Sequence, residues 1–219
     1  MLTDIDAVIF DLDGTLVDST WVWAKIDEDY LGNLGIVPPK NLMKEIGHMS
    51  MEQIAVYFKE KFSIEDSLEV IQETWNEMAL GEYSSNVPLR KGADKFLAHL
   101  KNLGIKIGLA TSNSKILLET VLVKHNIYQY FDSITTTGEV LKGKDSPDVF
   151  LLAATRLGVP PERCLVFEDI PFALKAARQA GMKAVAVQDP YKAQEWESIQ
   201  SLADHYIVDY EEIFKKDNE

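Results

Sequence analysis

Ala7-Val8-Ile9-Phe10-Asp11-Leu12-Asp13-Gly14-Thr15 decides how this 219-residue chain is read. The apolar run from Ala7 to Phe10 stops abruptly at two carboxylates, Asp11 and Asp13, and Gly14-Thr15 follows. A strand buried on both faces reads this way when it delivers its last residues to the mouth of a parallel sheet. Two carboxylates two residues apart repel each other in a low-dielectric pocket unless a cation lies between them or one takes a proton. The plainer reading of the same residues is a strand end with a solvated Asp-x-Asp-Gly turn. Residues further along the chain weigh against it.

Outward from that stretch, short apolar strands alternate with amphipathic helices. Strands are predicted at 7–10, 105–110, 133–136, 164–167, 184–187 and 206–208. Between them, Ala93, Phe96, Leu97, Leu100 and Leu103 fall at helical spacing, with Gly104 as a C-terminal stop. Leu117, Leu118, Val121 and Leu122 make a second helical face, Ser146-Pro147 is expected to cap and open a third helix closed by Gly158, and Ala173 to Ala177 lead to Gly181. Such alternation implies an α/β fold, a three-layer α/β/α Rossmann-like core around a parallel sheet. Ligands of such sheets bind outside the carboxyl ends of the strands.

One region breaks the alternation. About 65 residues after the first strand carry helical patterns only, at 21–34, 42–46, 52–62 and 67–80, which is too long for a simple crossover. The expected organisation is a catalytic core of residues 1–17 and 87–219 with a helical cap of residues 18–86, a lid that hinges at a few residues and excludes water.

Composition sets the bounds. The formal net charge of −13, from 22 Lys+Arg against 35 Asp+Glu, argues against a nucleic-acid backbone or an anionic membrane as partner. An anionic substrate then needs local positive charge or a bound metal. The single cysteine, Cys164, precedes Leu165-Val166-Phe167 and reads as a small buried hydrophobe. No apolar stretch approaches the length of a membrane span, and no basic-then-apolar leader opens the chain, so a cytoplasmic protein, monomeric by preference, is expected.

Four strand ends carry polar groups suited to one reaction. The first supplies Asp11 and Asp13. The second runs into Thr111-Ser112-Asn113, a hydroxyl with backbone N–H groups at an expected helix N-terminus, which attracts anions. Lys144 lies in the third connection, and the fourth strand ends in Glu168-Asp169. Alone, these are a helix cap, a surface lysine and a solvated loop. As an ordered set they offer carboxylate oxygens for Mg²⁺ and a hydroxyl, a lysine and amides for a phosphate.

The set resembles the haloacid dehalogenase-like superfamily over nearly the whole chain, in the branch that holds beta-phosphoglucomutases and small-molecule phosphatases. Asp11-Leu12-Asp13-Gly14-Thr15 is similar to its first motif, Thr111 to the second, Lys144 to the third and Glu168-Asp169 to the fourth. The resemblance implies that Asp11 is the nucleophile, forming an aspartyl-phosphate, and Asp13 the general acid and then base. It implies Mg²⁺ held by the Asp11 side chain, the Asp13 carbonyl and Asp169, with Glu168 beside it. Thr111, Lys144 and backbone N–H groups near Leu12, Asp13 and Ser112 would hold the phosphoryl oxygens. The expected activity is hydrolysis of a small phosphorylated metabolite. A phosphomutase and a non-catalytic binding protein on the same fold are the alternatives.

The chain departs from the family pattern in places. Asp145 follows Lys144 where proline is usual, an extra anion harmless only if it faces solvent. Ile170 stands where a serine is usual and cannot cap the next helix, a loss of ~1 kcal/mol. Ala173 stands where a glycine is usual. In the cap, Trp23 and Ser50 occupy the places where the mutases carry histidine and arginine, which disfavours that activity. Trp21, Trp23, His48, Met49, Ser50, Met51 and Trp75 are candidate specificity residues, with core packing as the competing reading for the large ones.

Overall fold

The computed structural model describes residues 1–46, 49 and 51–215. His48 and Ser50 therefore lie outside the described residues. The chain divides into two compact units, Met1–Ser19 with Val87–Glu219, and Thr20–Asn86.

The first unit opens on β1 (Ala7–Phe10). The second unit intervenes with α1 (Thr20–Asn33), α2 (Leu42–Ile46), α3 (Met51–Phe62) and α4 (Leu68–Ser85). The first unit then resumes: α5 (Ala93–Asn102), β2 (Lys106–Thr111), α6 (Lys115–Lys124), β3 (Ser133–Thr136), α7 (Asp148–Leu157), β4 (Cys164–Glu168), α8 (Pro171–Gln179), β5 (Lys183–Val187), α9 (Trp196–Gln200), β6 (His205–Ile207) and α10 (Glu211–Lys215).

All strand pairings are parallel, in the order β3-β2-β1-β4-β5-β6. Strand order reverses beside β1, and ligands of such sheets usually bind at the carboxyl ends of the strands flanking that point, here β1 and β4. Side chains alternate across the sheet. On one face Ala7, Ile9, Ala110, Cys164 and Val166 pack with Val149, Phe150 and Ala153 of α7 and Ala173, Ala176 and Ala177 of α8. A Cβ on Gly108 would lie 3.0 Å from Leu157 Cδ1, so the missing side chain is what lets α7 approach. On the other face Phe10 stacks on Phe167 at 5.1 Å, Phe96 of α5 meets Phe10 edge-on at 6.0 Å, and Tyr210 stacks on Phe96 at 5.5 Å. Each such aromatic pair adds roughly 0.5–1.5 kcal/mol to the burial of its rings. This cluster lies directly behind Asp11, so the residue after Phe10 leaves the sheet from a rigid base.

Several expectations shift. β2 runs one residue later than expected, so Thr111 ends a strand and does not begin a helix; α6 starts only at Lys115. Ser146 does not cap α7: its hydroxyl donates to the Asp148 side chain at 3.0 Å, and Pro147 holds the cap position. α4 continues to Ser85, five residues past the expected end, and Tyr83 in that extension is still buried. The division between units falls at Ser19, since Asp18 N–H donates to Pro88 C=O at 3.0 Å and Val17 bridges Leu89. Those contacts bring the two connecting segments side by side.

Among the described residues, the helical unit contains no strand. Its interior is aromatic: Trp75 meets Tyr30 edge-on at 5.7 Å and Phe58 at 5.2 Å. Trp75 is buried there and serves the core. Trp21, Trp23, Met49 and Met51 are half-buried. Among the described residues no helix is long and apolar enough to cross a membrane.

Candidate active site

β1 ends at Phe10, and Asp11 N–H donates to Phe167 C=O at 3.0 Å, continuing the sheet by one bond. The chain then turns sharply: Leu12 C=O accepts from Leu16 N–H at 2.9 Å and Val17 N–H at 3.0 Å. Gly14 takes φ +82°, a left-handed conformation that costs a side-chain-bearing residue strain. This turn separates the two carboxylates. Asp11 is buried, whereas Asp13 is half-buried.

Asp13 is held at both oxygens. Ser19 Oγ donates to its Oδ1 at 2.6 Å, and Asn113 Nδ2 donates to its Oδ2 at 2.9 Å. Asn113 is itself placed by the end of β2, where its N–H donates to Thr111 Oγ1 at 3.0 Å. Thr111 is buried and Ser112 exposed.

Lys144 turns inward from the loop before α7. Its ammonium contacts Asp11 Oδ1 and lies 2.8 Å from Glu168 Oε2. All three side chains are buried. Asp145, by contrast, is exposed, so the departure from the usual proline places its charge in solvent. Glu168, the last residue of β4, uses its second oxygen to accept from the N–H groups of Asp169 at 3.1 Å and Ile170 at 3.2 Å. That oxygen serves the backbone N–H groups just where Ile170, at the N-cap of α8, offers no side-chain cap. Asp169 is fully buried; Thr15 Oγ1 donates to its Oδ1 at 3.2 Å and Lys192 contacts its Oδ2. The Thr15 carbonyl accepts in turn from Tyr210 Oη at 3.2 Å.

The electrostatics follow from burial. Removal from water raises the Asp11 carboxyl above its ordinary range; Lys144 opposes the rise and Asp13 adds to it. Burial pushes Glu168 up to about 8, with the Asp11 charge adding and Lys144 opposing. Asp169 is raised by burial against the pull of Lys192. For Lys144, burial favours the neutral amine, but Asp11 and Glu168 outweigh it and hold the ammonium charged.

Carboxylate oxygens of Asp11, Glu168 and Asp169 lie within 4.8 Å of one another. Three converging buried carboxylates make a hard oxygen donor set, and burial alone would drive protons onto them, so the residues present fit a small divalent cation. The structure thus brings together Asp11, Asp13, Thr111, Lys144, Glu168 and Asp169 around the carboxyl ends of β1, β2 and β4. Sequence reasoning did not single out Ser19 and Asn113 as partners of Asp13, or Lys192 and Tyr210. Asn113 stood in the strand-end motif, but only the fold reveals a contact across 100 positions. Cys164 is buried in the core, its thiol pushed up to about 11 by burial, and has no part in the site. His125 Nε2 donates to Val87 C=O at 2.9 Å and His99 packs on Phe214, both away from these groups.

A family profile described as haloacid dehalogenase-like hydrolase matches residues 8–187. A probable pseudouridine-5′-phosphatase of Drosophila melanogaster is 31% identical, covering 93% of this chain and 93% of its own length. A phosphorylated carbohydrates phosphatase of Thermotoga maritima is 29% identical, over 83% of this chain and 84% of its own. Among solved structures, a beta-phosphoglucomutase of Clostridium difficile superposes with a TM-score of 0.73 at 25% identity, covering 98% of this chain and 97% of that one.

Proposed function

The chain belongs to the haloacid dehalogenase-like hydrolases, and on that membership we propose that it is a Mg²⁺-dependent phosphatase that hydrolyses the monoester of a small phosphorylated metabolite through a phosphoryl group carried on Asp11. One observation carries the reading: the buried oxygens of Asp11, Glu168 and Asp169 converge within 4.8 Å, with the Lys144 ammonium between Asp11 and Glu168. The names of the relatives, phosphatases of a nucleotide and of sugar phosphates, support the substrate class.

Asp11, Glu168 and Asp169 would hold the ion, together with the Asp13 backbone carbonyl. When bound, it offsets the charge that keeps an anionic nucleophile from an anionic phosphate. The rest is the work of the chain. Asp11 attacks phosphorus in line; an oxygen–phosphorus bond forms as the bond to the leaving oxygen breaks, and Asp13 gives that oxygen its proton. Asp13 then takes a proton from water, which attacks phosphorus and releases phosphate from Asp11. One carboxyl cannot be bonded to phosphorus and move protons at once, which is why the turn at Gly14 presents two. Ser19 and Asn113 keep Asp13 aimed through both steps. Lys144 and the Thr111 hydroxyl, which keeps its proton while accepting from Asn113, donate to the phosphoryl oxygens.

The test is a panel of phosphorylated metabolites, including nucleoside monophosphates and sugar phosphates, read as released phosphate with Mg²⁺ and with chelator. Release from at least one member that chelator abolishes is expected. No release from any member, or isomerisation of sugar phosphates without release, would overturn the reading.

A further inference from the structure

Lys192 is a charged group of the site that the proposed chemistry leaves without a role, and its placement is built rather than incidental. It follows β5 in a 3₁₀ segment, Pro190–Glu195. Asp189 fixes that segment: its Oδ1 accepts from Tyr191 N–H at 3.0 Å and its carbonyl accepts from Lys192 N–H at 3.0 Å. At Lys192 itself the backbone leaves helical geometry, with φ −110° and ψ 20°. The side chain then reaches Asp169 Oδ2, while its Nζ stays 3.7 Å from Asp189 Oδ2. Asp169 has no exposed side-chain surface, whereas the Lys192 side chain keeps 27% of its own.

With Thr15 on Oδ1 and Lys192 on Oδ2, each oxygen of Asp169 already carries a donor. A divalent ion shared among Asp11, Glu168 and Asp169 must take one of those oxygens. Thr15 is a neutral hydroxyl fixed to the nucleophile turn. Lys192 is a cation on a flexible stem with part of its length in solvent. Two like charges a few ångströms apart in a partly buried site repel strongly, because little water lies between them to screen the field. The ammonium and the ion therefore compete for the same carboxylate. Lys144 differs: it lies between Asp11 and Glu168, is as buried as they are, and is needed for the phosphoryl group.

We propose that Lys192 is an internal counter-cation of Asp169, which neutralises that carboxylate when no ion is present and weakens the affinity of the site for divalent ions when one binds. This rests on the ion site assigned under the proposed function. Its consequence is a site that loads and unloads at moderate ion concentration while the metal-free chain avoids an uncompensated buried carboxylate.

Calorimetric titration with MgCl₂ at fixed ionic strength tests this without turnover, alongside thermal unfolding with and without Mg²⁺. Lys192→Met is expected to bind Mg²⁺ about tenfold more tightly than the parent chain, roughly the effect of removing one nearby like charge after screening. Its metal-free form is expected to melt earlier and to show the larger rise on adding Mg²⁺. Lys192→Arg, which keeps the charge, is expected to stay within about threefold of the parent. Unchanged or weaker binding by Lys192→Met, where the parent binds and Asp169→Asn does not, would overturn the role of Lys192 while leaving the ion site standing. A parent chain whose titration matches that of Asp169→Asn would remove the ion site and this inference together. If Lys192→Met is too unstable to titrate, Lys192→Gln, which keeps a polar donor, is read by the same outcomes.

Discussion

The Lys144 ammonium lies 2.8 Å from the Glu168 carboxylate, and both side chains are buried. The same ammonium contacts Asp11, so one cation holds two anions that burial would otherwise neutralise. Lys144→Met removes the only positive member of that trio. The variant is expected to lose phosphatase turnover by at least about a hundredfold, and its metal-free form to lose about 3–5 kcal/mol of unfolding free energy, the usual cost of stranding a buried charge. Urea unfolding with and without Mg²⁺ measures the second effect. Added Mg²⁺ should restore part of the loss.

Asn113 tests the aiming of Asp13. Asn113→Ala removes the 2.9 Å bond to Asp13 Oδ2 while leaving the Ser19 bond to Oδ1. The proposed role of Asp13 is to move protons, not to bind the ground-state substrate, so kcat is expected to fall about 10- to 100-fold with KM within about threefold. Steady-state kinetics on whichever substrate the metabolite panel identifies reads the split. A large change in KM with kcat preserved would place Asn113 in substrate binding.

Tyr210 connects the core to the site. Its hydroxyl donates to Thr15 C=O, and Thr15 donates to Asp169. Tyr210→Phe keeps the stacking on Phe96 but leaves a buried carbonyl short of a donor. A loss of about 1–2 kcal/mol is expected in chemical unfolding.

Asp27 gives the helical unit a pH response. It is buried on α1, and burial pushes its carboxyl up to about 7, with the Glu28 charge adding to the effect. The folded chain therefore holds a proton there that the unfolded chain releases near pH 4. Between those values the native state binds more protons, so stability falls as pH rises, by at most about 1.4 kcal/mol per unit, and levels off above pH 7. Asp27→Asn removes this contribution. Relative to the parent, the variant is expected to gain roughly 2 kcal/mol between about pH 5 and about pH 7.5. Unfolding curves for both chains at the two pH values supply the comparison, and a constant difference between them would contradict it.

The strand-end carboxylates were legible because an apolar run interrupted by Asp11 and Asp13, and another ending in Glu168 and Asp169, leave a signature within a few positions. The alternation around them made the parallel sheet legible too. Boundaries moved where a residue type suits two structures. Thr111-Ser112-Asn113 reads as a helix cap, yet Thr111 still pairs with Thr136 in the sheet and the helix waits until Lys115. Ser146 reads as a cap, yet Asp148 takes its hydroxyl. The supporting shell was not legible. Thr15 and Asp169 meet across 154 positions, and Lys192 lies in a stretch with no apolar periodicity. Such contacts depend on loop conformation, which local pattern does not specify.

The most direct measurement is acid quenching during turnover, followed by peptide mass mapping, for the parent chain and Asp11→Asn, each with Mg²⁺. The parent is expected to carry a phosphoryl group on the peptide containing Asp11. The Asp11→Asn variant is expected neither to carry that group nor to release phosphate. A parent that turns over with no adduct, beside an Asp11→Asn variant of full activity, would contradict Asp11 as the nucleophile.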